Sequence, residues 1–572
     1  MSARRGVSTG STARDVGSTA RDVGSTARDV GSTAGGADAV TPAPAATDAA
    51  LALLHDDLAA ARYTVDGVAE LFGPVATAAL HREQAVPARL AVEAAVRGRA
   101  PSSWDPRATL SRLFLLGGEV PRSALDAALP ATRADGLVRA GLAVAAGQGD
   151  DDAVRAAVDL APYAATDGGG GGPAEDIVWW LASDLGELAR GGAIATDHVL
   201  GAGGASLTLA QVTVRNQTGR VLDLGTGCGI QALHAHRHAA AVVGTDISAR
   251  ALAFARFNAG LNLGDADAFD LRRGSMLEPV AGEQFDLVVS NPPFVITPHS
   301  GAAGRAVHDA LGDFEYRDGG RAGDDLVRDL IQGVGAVLAP GGTAQLLGNW
   351  EHRRGIPWTE RVGEWLDASG LDGWVIQREV LDPAEYAETW IRDGGTTPER
   401  DPAGWAAAYG AWLDDFASRD VEAIGFGIVT LRKPEGPATL RRLEEHTGSV
   451  HQPLGAHLAA SLAAHAWLAA RTDDDLLAAH LETAPDVTEE RYLTPGLPDP
   501  NVVVIRQGDG LGRGVHASTA LAALVGACDG ELAVGQIAGA IAALFDVDAG
   551  ALRAELLPAV RGLVRDGFLR PA

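Results

Sequence analysis

"RVLDLGTGCGIQALHAHRHAAAVVGTDIS", residues 220–248, decides the fold. Val221 to Leu224 reads as an apolar strand that runs into three glycines at alternate positions, Gly225, Gly227 and Gly229, with a helix starting at Ile230. A second apolar run, "AVVGTDI", ends the next strand on Asp246. Strand, glycine turn, helix and strand in this order open a parallel α/β sheet. The glycines let the backbone approach a ligand that a Cβ would exclude. An acid at the end of the second strand is placed to accept two hydrogen bonds from ribose hydroxyls.

Two ligands fit such a turn, and the spacing separates them. A pyrophosphate binder uses GxGxxG, whereas this run is Asp-x-Gly-x-Gly-x-Gly, led by Asp223. A carboxylate sits poorly beside a pyrophosphate. It suits a ligand that carries a sulfonium and an ammonium, which is S-adenosylmethionine.

A second stretch, "DLVVSNPPFVITP" (residues 286–298), ends an apolar strand on Asn291, two prolines and Phe294. Each proline removes an N–H and fixes φ, so the strand must stop there. One proline would suffice as a stop signal, so the tetrad Asn291-Pro292-Pro293-Phe294 reads as a shaped chain end.

Residues 206–435 alternate strands and helices and resemble a class I S-adenosylmethionine-dependent methyltransferase of the small methyltransferase domain type. That group includes release-factor glutamine-N5, ribosomal-RNA guanine-N2 and adenine-N6 methyltransferases. The resemblance rests on LDLGTGCG, the acid of GTDIS, the SNPPF run, the turn Pro340-Gly341-Gly342 and a Gly-Gly-x-x-Gly segment within "YRDGGRAGDDLVRDLI", residues 316–331. It implies a Rossmann-like seven-stranded sheet and S-adenosylmethionine held by Asp223, Gly225, Thr226, Gly227, Gly229, Asp246, Ile247 and Asn291. In the glutamine enzymes an acid follows the third strand; here "RRGSMLEPV" offers Ser275 and Met276 instead. The resemblance also implies that the Asn291 side-chain oxygen and the Pro292 carbonyl accept the two hydrogens of a target amino group. Pro293 then stiffens the loop, and Phe294 stacks on the flat target. Paired acceptors turn the nitrogen lone pair toward the methyl, which is positioning and electrostatics without a strong base. The expected target is a planar amino group, in the first place a protein glutamine amide, with an RNA base (guanine N2 or adenine N6) as the alternative, on a translation factor or the ribosome. A cofactor-binding protein without turnover is the reading from another class, and an intact tetrad with Asp246 argues against it.

Composition narrows the partners. Among 572 residues, 74 Asp and Glu outweigh 47 Lys and Arg, for a net charge of −27. Binding to nucleic acid depends on cations that neutralise phosphates, and the global field here repels polyanions. Two distant cysteines, Cys228 and Cys528, support neither a disulfide framework nor a zinc site, so a cytoplasmic protein with no metal is expected. No signal-peptide core and no apolar run of about 18 residues is present.

The flanks read as mainly helical. Three tandem copies of GSTARDV occupy Gly10 to Val30; each has one large apolar residue and a glycine, so no coiled-coil seam can form and residues 1–46 are expected to be disordered. Residues 47–170 and 436–572 each order short helices before a terminal strand, as winged helices do, with 171–205 a connecting segment near the cofactor. The last helix mixes Arg553, Arg561 and Arg565 with Glu555 and Asp566, a poor DNA-reading surface. In "DHVLGAGGASLTLAQVTVR", before the first sheet strand, Ser206 is a candidate cofactor contact. Cys228 is expected to pack beneath the cofactor, and His234, His236 and His238 to lie on a solvated helix face. Tryptophans 350, 358, 365, 374, 390, 405 and 412 are expected to be core, some walling a substrate cleft.

Overall fold

Residues 42–82, 84–167, 175–186, 197–298, 304, 307 and 319–572 are described by the computed structural model of the protein. The GSTARDV repeat, Gly168 to Gly172 and Tyr316 to Asp318 lie outside the described residues. The chain divides into two compact units, within Asp22–Thr447 and Gly448–Ala572.

The first unit begins with helices Asp48–Ala60, Val65–Leu80 and Val86–Val96. Thr47 and Thr64 cap the first two through their side-chain oxygens, which satisfies N–H groups that a helix start leaves free. Strands β1 (Val120–Pro121), β2 (Ala143–Ala145) and β3 (Ala153–Ala156) form a small antiparallel sheet in the order β1-β3-β2. A long antiparallel hairpin follows, β4 (Asp159–Asp167) with β5 (Glu175–Ser183), Tyr163 opposite Trp179. The two strands pair across the boundary that the sequence suggested at residue 170.

Asparagines dock that hairpin onto helix Ala249–Leu263. Asn262 accepts from Trp180 N and donates to Trp180 O; Asn258 does the same for Ala182. Residues four apart on a helix rise about 6 Å, close to the roughly 6.6 Å between alternate strand residues, so one helix face can serve one strand edge. Asn258 also donates to the Cys228 carbonyl, which ties the hairpin to the glycine turn.

The central sheet contains β6 (Thr218–Leu224), β7 (Ala239–Asp246), β8 (Asp270–Arg273), β9 (Phe285–Ser290), β10 (Leu338–Arg353), β11 (Asp372–Leu381), β12 (Val421–Arg432) and β13 (Arg441–Glu445). Their order is β13-β11-β12-β10-β9-β6-β7-β8. β12 is antiparallel to both its neighbours, and the other pairs are parallel. The α/β fold read from the sequence is present, with eight strands rather than seven. The additional strand, β13, reads Arg-Arg-Leu-Glu-Glu, and only Leu443 in it is apolar. An edge strand paired on one side can be this polar, which hid it from apolar patterning. Leu222, Val243, Val288 and Leu346 bury the sheet's middle. The chain leaves β6 toward β7 and β8, then crosses back to β9 on β6's other side, and that reversal opens a crevice at the strands' C-terminal ends.

The second unit has helices Gly455–Ala469, Asp473–Ala478, Thr519–Ala527, Val534–Phe545 and Ala549–Arg565. Strands β14 (His480–Thr483), β18 (Asp529–Ala533) and β19 (Leu569–Pro571) form one sheet, and β15 (Val487–Leu493), β16 (Pro500–Gln507) and β17 (Gly514–His516) another. On its last helix Arg561 pairs with Asp473 and Arg565 with Asp566, so two of the three arginines are already engaged.

Candidate active site

The glycine turn caps β6 at the crevice. Gly225, Gly227 and Gly229 all have positive φ, at 77°, 55° and 86°, a region costly for residues with a Cβ. Their surroundings differ. A Cβ on Gly225 or Gly227 would meet nothing within 4 Å, whereas one on Gly229 would lie 3.1 Å from Cα and Cβ of Ala255. Gly229 therefore serves helix packing, and the first two face open space. Gly225 and Thr226 both donate their N–H to the Thr245 carbonyl at 2.9 Å, which lashes the turn to β7.

Asp223 is buried and works inside the turn. Its Oδ2 accepts from Thr226 Oγ1 at 2.6 Å and from Ala232 N at 3.0 Å. Burial pushes its carboxyl up to about 7 against those two hydrogen bonds. Asp246, at the end of β7, accepts from Gly227 N at 3.0 Å and Ser248 N at 2.9 Å. Burial raises its carboxyl too, opposed by these backbone donors. Ile247 beside it exposes 54% of its surface, an apolar platform at the crevice.

A cavity of about 640 Å³ collects these groups. Asp223, Gly225, Thr226, Gly227, Asp246, Ile247, Ser275, Met276, Asn291, Pro292 and Pro293 all line it, and so does Ser206. Gln231 donates to the Ser206 carbonyl at 2.7 Å and sets that wall. Phe294 is half-buried against the hydrophobic core of the central sheet and is not among the residues that line this cavity.

The tetrad is held from behind. Ser290 Oγ donates to the Leu224 carbonyl at 2.8 Å and joins the ends of β9 and β6. Beyond the prolines, Ile296 N donates to Tyr386 Oη and its carbonyl accepts from Trp412 Nε1, both at 2.8 Å. Among the described residues no donor reaches Asn291 Oδ1, although that atom is buried. An orphaned buried acceptor costs about 1–3 kcal/mol, so a donor is expected there when the site is in use.

Gly319, Gly320 and Arg321 also line the cavity, with Gly319 close to the Pro293 carbonyl, and the residues that follow are pinned by charge. Asp324 is fully buried, accepts from Glu351 N at 2.8 Å and takes both terminal nitrogens of Arg361. Buried Glu351 in turn pairs with Arg353 and Arg419. Arg361 and Arg419 lie far in sequence from the acids they meet, and no motif announced them.

Three expectations are corrected or refined. Cys228 is buried and burial pushes its thiol up to about 11, which keeps it protonated at neutral pH and fits a packing role. His234 and His238 are buried rather than solvated: His234 Nε2 lies 2.7 Å from Tyr163 Oη, and His238 Nδ1 lies 3.2 Å from the Asn216 carbonyl. Only His236 of the three is exposed. Of the tryptophans, Trp350, Trp365, Trp374 and Trp412 are core, and none of the seven lines the cavity. No helix among the described residues is long and apolar enough to cross a membrane.

Residues 201–311 match the methyltransferase small domain family, a span that includes the glycine turn, Asp246 and the tetrad. Residues 60–157 and 459–571 match two domains of unknown function, DUF7059 and DUF7782. A release factor glutamine methyltransferase from Xylella fastidiosa strain Temecula1 is 37% identical over 139 residues, 23% of this chain and 47% of that protein. Its counterpart from Deinococcus radiodurans is 39% identical over 129 residues, 22% and 44% of the two chains. The chain thus spans about half the length of the curated relatives it matches. Among solved structures, the [4+2]-cyclase SpnF matches with a TM-score of 0.24 and 24% identity, covering 40% of this chain and 80% of its own. In its central part, therefore, this chain carries a match to the methyltransferase small domain and is similar there to release factor glutamine methyltransferases.

Proposed function

We propose that the protein is an S-adenosylmethionine-dependent N-methyltransferase whose acceptor is a planar amino group, a glutamine side-chain amide of a cytoplasmic protein. The observation that carries this reading is Asn291 Oδ1, a buried acceptor that no donor reaches among the described residues, on the wall of a cavity that also holds the glycine turn and Asp246. The fit to the cofactor rests on the open space beside Gly225 and Gly227, where a Cβ would intrude, and on a carboxylate at the end of the second strand. Asp246 would hold the ribose, Ile247 would cover the adenine with Ser275 and Met276 near its edge, and Asp223 with Thr226 would keep the turn in shape. When bound, S-adenosylmethionine supplies an electrophilic methyl on a sulfonium.

The chain's own contribution is alignment. Asn291 Oδ1 and the Pro292 carbonyl accept the two amide hydrogens and take nitrogen density out of conjugation. Two prolines, with Ile296 fixed by Tyr386 and Trp412, hold these acceptors still. A nitrogen–carbon bond forms as the sulfur–carbon bond breaks, and the surplus amide proton passes to water. A protein acceptor is favoured by the net charge of −27 and by the relatives named for release factor glutamine.

The test incubates the protein and radiolabelled S-adenosylmethionine with lysate from a strain lacking it, then digests with protease or RNase. Label released by protease and recovered as N-methylglutamine is the expected result. Label released by RNase would replace the protein acceptor with an RNA base.

A further inference from the structure

Asp184 stands just beyond β5 and joins two walls of the cavity without lining it. Its N–H donates to the Val199 carbonyl at 3.0 Å, and its Oδ2 accepts from Val199 N at 2.9 Å. The same carboxylate takes Arg250, whose Nε donates to Oδ2 at 2.8 Å and whose Nη2 donates to Oδ1. Both side chains are largely buried, 13% and 12% exposed. Val199 belongs to the strap of residues 197–201, every one of which lines the cavity. Arg250 lies in the first turn of the helix after Asp246, Ile247 and Ser248, three further lining residues.

One carboxylate therefore fixes the strap against the loop that carries Asp246. It directly follows the hairpin strand that Asn258 and Asn262 dock on the same helix, so the hairpin and the cavity share a joint. Charge-assisted hydrogen bonds are stronger than neutral ones, and a partly buried pair is little screened by salt.

We propose that Asp184 is a positioning residue for the cofactor, setting the gap between the strap and the Asp246 loop and making cofactor affinity depend on the N-terminal hairpin. This rests on the reading of the cavity as the cofactor's. The experiment is isothermal calorimetry of the full chain with S-adenosylmethionine, beside melting curves without ligand, for wild type, Asp184→Ala and Asp184→Asn. Loss of the charged contacts in Asp184→Ala is expected to weaken binding by at least about tenfold. Asp184→Asn keeps an acceptor for Val199 N and gives up the ion pair, so it should fall between wild type and Asp184→Ala; it carries the test alone if Asp184→Ala does not fold. Wild-type affinity in the folded variants, with or without a lower melting temperature, would overturn the inference and leave a structural ion pair. A wild type that binds no S-adenosylmethionine would overturn the cofactor reading itself and this inference with it.

Discussion

Gly227 donates its backbone N–H to Asp246 Oδ2 at 3.0 Å, so the turn after β6 and the acid after β7 form one unit. The bond pre-orients the carboxylate and leaves it lone pairs for a ligand. It also explains why Asp246, though largely removed from water and raised in pKa by burial, can remain a useful acceptor: Gly227 and Ser248 N–H groups oppose the burial.

Asp246→Ala is therefore expected to do double damage, removing the ribose acceptors and freeing the glycine turn. Two hydrogen bonds to a carboxylate correspond to roughly 3 kcal/mol, or about 100-fold in affinity. Calorimetry with S-adenosylmethionine checks this, and unchanged binding would remove the ribose assignment. Binding of NADH by the wild type would instead restore the dinucleotide reading of the turn.

The glycines should separate by role. Gly229→Ala forces a side chain into positive φ and against Ala255, so it should lower the melting temperature of the unit that contains the central sheet. Strain of about 1–2 kcal/mol with overpacking of about 1–3 kcal/mol sets the scale. Gly227→Ala carries the strain but meets open space, so its larger effect should be on cofactor affinity. Equal melting temperatures for Gly229→Ala and wild type would contradict the packing role.

Asp223 should leave a pH signature. Its carboxyl stands at about 7 when folded, against about 4 in an unfolded chain. The native state then holds a proton that the unfolded state releases, so this group's contribution to stability is full below about pH 4 and is lost as pH rises through about 7. Asp223→Asn resembles the protonated form and can keep Thr226 and Ala232 as donors. Melting curves at pH 5 and pH 8 should show the variant gaining on the wild type at the higher pH; a difference that does not change with pH would place no proton on Asp223.

The parts of the site legible in the sequence are those whose chemistry is local. Glycines that need positive φ, a carboxylate at a strand end and two prolines in succession each announce a backbone requirement within a few residues. Asp184, Asn258, Asp324 and Glu351 were not legible, because each reaches at least one partner on a distant element and none breaks the pattern of its own element. His234 was misread for the same reason: helical spacing suggested an outer face, and Tyr163 and Trp179 of the hairpin cover it. Phe294 was read through the tetrad's motif, while its packing is set by the core behind the loop.

Asn291 tests the account most directly. Asn291→Ala and wild type would be compared for methyl incorporation into the protein fraction of the deficient lysate at saturating cofactor, beside calorimetric cofactor affinity. Removing one preorganised polar partner typically costs roughly 3–4 kcal/mol, or 10² to 10³ in rate, so transfer should fall by about that factor while affinity changes little. Asn291→Ala that loses cofactor binding yet transfers methyl at the wild-type rate once loaded would contradict the account, because Asn291 would then hold the cofactor and not the acceptor nitrogen.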